Sequence, residues 1–85
     1  MYYLYILENE KIRRHYIGTT ENVELRIAKH NKGDVRSTKA YRPWKIAHIE
    51  KFTDKTEARK REIFLKKNAK SRSELYNEIG KNSYL

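Results

Sequence analysis

The chain has 85 residues, no cysteine and a formal net charge of +9, from 20 Lys and Arg against 11 Asp and Glu. That length leaves room for one domain, 1–85, with a small core, and the missing cysteines exclude a disulfide framework and a thiolate metal site. The charge repels itself unless a polyanion neutralises it, so nucleic acid, DNA or RNA, is the leading partner and an acidic membrane surface a lesser one; no run is long enough to span a membrane.

Residues 2–7 (Tyr-Tyr-Leu-Tyr-Ile-Leu) are continuously apolar or aromatic, which fits a strand buried on both faces. Met1 leads straight into this strand rather than into a signal peptide, and a cytoplasmic protein is the expectation. Residues 14–19 read as its hairpin partner, with the turn between Glu8 and Arg14. Thr19, Thr20 and Asn22 are N-cap candidates for a helix to about residue 31, and Gly33 suits its end. Residues 32–42 are polar and basic without a period, a loop closed by Pro43.

Trp44 to Phe52 alternates and predicts a third strand, with Ala47 and Ile49 packed beneath a helix. Asp54 with Glu57 is a capping-box pattern that opens a helix over about 55–67. Ser71 with Glu74 is a second such pattern, opening a short helix to Ile79 that Gly80 ends, and residues 81–85 are expected to fray. The predicted order is β-β-α-β-α-α, an α+β fold with a small three-stranded mixed or antiparallel sheet flanked by helices.

Three features carry chemistry. Arg26 and His30 are four apart on the first helix and share a face with Val23 and Ile27. That face is either the edge of a cleft or a solvated arginine beside an incidental imidazole. Glu62 stands alone among Arg59, Lys60, Arg61, Lys66, Lys67, Lys70 and Arg72, and its helical position turns it toward the core. An inward carboxylate needs a partner: an arginine such as Arg26, or a divalent cation, Mg²⁺ or Mn²⁺, whose remaining ligands are water and phosphate. Tyr5 and Tyr16 lie on paired strands. A free phenol is ionised about once in a thousand at neutral pH, and neighbouring cations favour phenolate. Beside Arg26 and a metal ion, one phenol could take the proton of an attacking water while the cations absorb charge on the phosphate.

In this order and spacing, Tyr3-Leu4-Tyr5, Tyr16-Ile17-Gly18, Arg26 and His30 in ELRIAKHN, and Glu62 in EARKRE resemble the GIY-YIG nuclease domain of the excinuclease C subunit and of intron-encoded homing endonucleases. The likeness covers about residues 2–67, and STKAYRPWKIAHIEKF is typical of the small stand-alone branch. The resemblance implies one divalent metal and hydrolysis of DNA phosphodiesters. Tyr5 and Tyr16 would serve as general base and water-orienting phenol. Arg26 would stabilise the phosphate, His30 would fill an active-site position that varies among members, and Glu62 would hold the metal. Tyr3 and Leu4 depart from the motif's Gly and Ile, and Asn68 is the candidate for the late asparagine of some members.

Lys29, Lys32, Arg36, Thr38, Lys39 and Arg42, in and before the loop, with Lys66 and Lys67, are expected to track the nucleic-acid backbone. One small domain offers one active site, so cutting both strands takes a weak homodimer or two encounters of a monomer. A binding module that grips nucleic acid without cutting is the alternative reading.

Overall fold

The computed structural model describes residues 1–9 and 11–82. Its elements are β1 (Tyr2–Asn9), β2 (Arg14–Thr20), α1 (Val23–Lys32), a single 3-10 turn (Lys39–Tyr41), β3 (Lys45–Phe52), α2 (Lys55–Lys67) and α3 (Ala69–Asn82). The sheet is wholly antiparallel in the order β2-β1-β3. The central position of β1 explains its unbroken apolar sequence, because both of its faces are covered. Leu4 and Ile6 are fully buried on one face with Ile17, Leu65 and Ile79. Tyr5 and Leu7 are buried on the other with Trp44, packed by Val23 and Ile27 of α1. Each such side chain contributes roughly 1.5–3 kcal/mol.

The helix ends follow their sequence signals. Asn22 caps α1 by accepting the Leu25 amide at 3.0 Å. Gly33 closes it in the left-handed region at φ 87, where a side chain would be strained and would also meet Arg42. Asp54 caps α2 by accepting the Glu57 amide at 2.9 Å.

Three expectations are corrected. The register of β3 slips between Ile6 and Leu7, which pair with His48 and Ile46, so Ala47 is the extra residue of a bulge. Ala47 still packs on the core, but Ile49 is 45% exposed rather than beneath a helix. The last helix opens at Ala69, not after Ser71, because Asn68 alone makes the break, its side chain donating to the Phe64 carbonyl at 2.7 Å. Gly80 does not end that helix; an interior glycine costs about 1 kcal/mol, and α3 runs on to Asn82. Residues 81 and 82 are therefore helical, and the fraying expected at 83–85 lies outside the described residues. Among the described residues, no helix is long and apolar enough to cross a membrane.

The region read as a loop is fastened at both ends. Asn31 of α1 accepts the Trp44 amide at 2.7 Å and donates to the Trp44 carbonyl at 3.0 Å. The Trp44 indole donates to the Thr38 carbonyl at 3.0 Å, and Asn9 donates to the Tyr41 carbonyl at 2.7 Å. These bonds hold Thr38 beneath α1, 1% exposed.

Candidate active site

The antiparallel register sets Tyr5 opposite Gly18 and Leu7 opposite Tyr16, which places both phenols on the α1 face of the sheet. Their ring centroids are 6.2 Å apart. The i, i+4 spacing on α1 brings Arg26 and His30 over the same spot. Arg26 Nε donates to the Tyr5 oxygen at 3.3 Å, and His30 Nε2 lies 3.0 Å from it. His30 Nδ1 is 2.7 Å from Thr38 Oγ1, which is 3.3 Å from the Val35 carbonyl.

The proton positions in this chain follow from its two ends. A carbonyl only accepts, so the Thr38 hydroxyl donates to Val35 and accepts from His30 Nδ1–H. The neutral ring then accepts at Nε2, and the Tyr5 hydroxyl donates to it. A guanidinium only donates, so Arg26 takes up the remaining side of the Tyr5 oxygen. His30 is neutral because burial, aided by the Arg26 charge, lowers its pKa from 6.5 to about 4. Arg26 is held charged above its ordinary value, chiefly by the Tyr5 hydrogen bond.

Burial also decides the state of Tyr5. The phenol is 1% exposed, and desolvation pushes its pKa above 10 despite the lowering effect of Arg26. The sequence led to the opposite expectation, that nearby cations would draw the phenols toward phenolate. For Tyr5 the loss of water outweighs the guanidinium. Tyr16 is half-buried, its ring 4.9 Å from that of His30, with Lys66 Nζ 6.0 Å from its centroid.

Glu62 approaches from the opposite face, on α2, which crosses β1 and β2. Its side chain is 12% exposed and pairs with Lys66 at 2.8 Å and Arg59 at 3.9 Å, while Thr19 donates to it at 3.5 Å. Among the described residues, these cations of its own helix are its ion-pair partners; the guanidinium of Arg26 is directed to Tyr5 instead. Thr19 adjoins Gly18, and the Glu62 charge is felt at the Tyr5 phenol, where it disfavours ionisation. The five residues are thus brought to one stretch of the β2 edge, four in a cluster of hydrogen bonds and tilted or edge-on ring contacts and the fifth beside it.

The expected backbone-tracking residues divide. Lys29, Lys32, Arg36, Lys39, Arg42, Lys66 and Lys67 are exposed. Thr38 is withdrawn from the surface and belongs to the buried chain under His30, which removes the phosphate contact expected of it. Arg72 caps α2, donating to the Leu65 and Lys66 carbonyls at 3.2 and 2.9 Å. The roles of Thr19 beside Glu62 and Thr38 beneath His30 have no signal in the sequence, since each depends on a contact between distant segments.

The fold and site are those of a small α+β domain that gathers phenols, a guanidinium, an imidazole and a carboxylate at one sheet edge. The chain belongs to the family of the GIY-YIG catalytic domain, whose model matches residues 1–77. It is 33% identical to a UPF0213 protein of Halobacterium salinarum over 87% of this chain and 96% of that one. A UPF0213 protein of Clostridium perfringens is 41% identical over 79% of this chain and 72% of its own. The solution NMR structure of a UPF0213 protein from Bacillus halodurans superposes with a TM-score of 0.56 at 31% identity, covering 93% of this chain and 85% of that one.

Proposed function

We propose that the chain is a metal-dependent endonuclease that hydrolyses phosphodiester bonds of DNA, acting in DNA repair or recombination. The observation that carries this reading is the convergence of Tyr5, Tyr16, Arg26 and His30 in one cluster beside Glu62, in a domain of the GIY-YIG family. Arg26 donates to Tyr5 through its Nε and also interacts with the Tyr16 hydroxyl, which holds the guanidinium at the site to stabilise charge on a phosphate. Tyr5 keeps its proton, donates it in a hydrogen bond to His30 Nε2, and serves to aim the guanidinium. Tyr16, half-buried and bordering the open groove with Lys66, is the phenol positioned to receive the proton of an attacking water.

The donor set supports a hard, water-rich cation. Among the described residues, no three His, Cys, Asp or Glu side chains gather as a preformed cage. Mg²⁺ usually takes one or two carboxylates and keeps several waters, and Glu62 with the neighbouring Thr19 hydroxyl supplies such oxygens. When bound at Glu62, Mg²⁺ or Mn²⁺ would supply Lewis-acid stabilisation of the phosphate. Lys66 and Arg59 balance the carboxylate otherwise.

Those same ion pairs favour a second reading, a nucleic-acid-binding module of this fold. A plasmid-nicking assay with Mg²⁺ or Mn²⁺, run beside Glu62→Ala and Tyr16→Phe, separates the two. Nicking lost in both variants while DNA binding persists supports the nuclease. Binding without metal-dependent products from any DNA or RNA leaves the module.

A further inference from the structure

A cleft of ≈ 410 Å³ opens where the N-terminal halves of α1 and α2 approach the end of β2. It is lined by Arg26 and Lys29 of α1, Lys55 and Arg59 of α2, and Thr19 and Thr20 of β2, with Glu21 the acid among its lining residues. The sequence offered no reason to expect phosphate contacts at Lys55 and Arg59, which lie toward the other end of α2 from the expected Lys66 and Lys67.

Three observations make this cleft an anion site. Its charges are unbalanced: Arg26 is bonded to a neutral phenol, and among the described residues neither Lys29 nor Lys55 has a carboxylate partner. Both helices present their first turns to it, through Asn22 and Leu25 of one and Lys55 of the other, so their positive dipole ends add to the side-chain charge, although Asn22 and Asp54 already cap the Leu25 and Glu57 amides. It is also continuous with the candidate active site, since Arg26 holds Tyr5 and Arg59 holds Glu62.

We propose that the cleft is a second phosphate site, which takes the backbone phosphate next to the scissile one on the Thr20 side of β2. The proposal deepens the nuclease reading by fixing how the strand lies. A nucleic-acid strand runs along the β2 edge, with one phosphate in the cleft, the next at Arg26 and Glu62, and the following nucleotide toward the groove of His15, Tyr16, Lys66 and Tyr76. The loop cations lie outside this path. Arg42 of the loop is engaged with the Lys39 carbonyl at 2.9 Å, and at the far end of β2 Arg14 rests on the Tyr41 ring at 3.9 Å.

The test is binding of a short oligodeoxythymidylate without divalent metal, followed by amide chemical shifts and by affinity as a function of salt. In the wild-type chain the largest shifts fall at Thr20, Asn22 and Leu25. The double variant Lys55→Ala, Arg59→Ala binds about tenfold more weakly, and its log–log salt slope is shallower by about 0.7 for each single-strand phosphate no longer neutralised. The control Lys11→Ala, Lys51→Ala removes the same charge from the hairpin turn and from the opposite sheet edge, and leaves affinity within about twofold. Equal losses in the two double variants mean a diffuse charge effect and overturn the site, as does no binding by the wild-type chain. Both variants alter exposed positions, and retained amide dispersion shows that they fold. Because no metal is present, binding through the cleft without cleavage on adding Mg²⁺ removes the nuclease and keeps the site. Cleavage with an unchanged KM in Lys55→Ala, Arg59→Ala does the reverse.

Discussion

The phenol of Tyr5 lies across Gly18 so closely that a Cβ built there would be 2.5 Å from its hydroxyl oxygen and 2.6 Å from the ring carbon that bears it. Gly18 is opposite Tyr5 in the β1–β2 register, on the edge strand, and its missing side chain is what lets the phenol extend toward His30 and Arg26. This glycine is required by space and not by backbone conformation. Gly18→Ala should therefore destabilise the chain by roughly 1–3 kcal/mol, the usual range for overpacking, and displace Tyr5 from Arg26. Urea denaturation measures the first effect. The second appears as a shifted His30 imidazole signal, which a change confined to β2 backbone dynamics would leave in place.

The two tyrosines should separate stability from activity. Tyr5→Phe leaves His30 Nε2 and Arg26 Nε without their partner in a buried setting, at a cost of about 1–3 kcal/mol. Tyr16→Phe removes a hydroxyl from a half-buried ring, with its interaction with Arg26, and should cost less, about 0.5–1 kcal/mol. If Tyr16 is the general base, its loss lowers nicking about 100-fold or more with the fold intact. Equal stability losses in the two variants would contradict the assignment of Tyr5 as the buried member of the pair.

How far the sequence was legible follows from which contacts are local. Asn22, Gly33 and Asp54 act within one helical turn, and each ends or begins a helix where its chemistry says it must. Tyr5, Tyr16, Arg26 and His30 meet because strand register and the i, i+4 rule are both readable. The Ala47 bulge is a property of pairing between β1 and β3 and leaves no mark on alternation within β3. Thr38 looked like one more polar residue in a basic loop; its burial depends on Asn31 and Trp44 closing that loop, a contact over 13 positions. The direction of the Tyr5 shift was hidden for the same reason. Composition names the nearby charges, but only packing says how much water is lost.

Acid should weaken the fold earlier than carboxylate titration alone would. His30 is neutral in the folded chain down to about pH 4, whereas an unfolded histidine protonates near 6.5. Between those values the unfolded state binds the extra proton, so stability is present above pH 6.5 and is lost as pH falls toward 4. At pH 5 the loss is about 2 kcal/mol relative to pH 7. Glu50 acts lower. Burial tends to raise its pKa, but hydrogen bonds from Arg61 and His48 leave it lowered, so its contribution is kept above the unfolded value of 4.5 and lost below it. Urea midpoints at pH 7 and pH 5 should differ for the wild-type chain and converge in His30→Gln, which cannot titrate. An unchanged pH dependence in that variant would mean that His30 is not the group responsible.

Removing the Glu62 charge should divide binding from catalysis in a direction opposite to most active-site substitutions. The carboxylate is 12% exposed and tied to Lys66 at 2.8 Å and Arg59 at 3.9 Å, so it neutralises two cations at the centre of the proposed strand path. Glu62→Gln keeps the shape and the Thr19 contact while freeing both cations for phosphate. In metal-free, low-salt buffer the variant should hold an oligonucleotide about two- to fivefold more tightly than the wild-type chain, with a steeper salt dependence from the additional phosphates neutralised. With Mg²⁺ present the ranking reverses if the metal sits at Glu62. The wild-type chain, whose Glu62 would hold the ion, would then gain affinity on adding Mg²⁺, and Glu62→Gln would not respond. Fluorescence anisotropy across a Mg²⁺ series reads both limbs without depending on cleavage. Parallel Mg²⁺ responses in the two proteins would place the ion elsewhere and leave Glu62 as a counter-ion for its own helix.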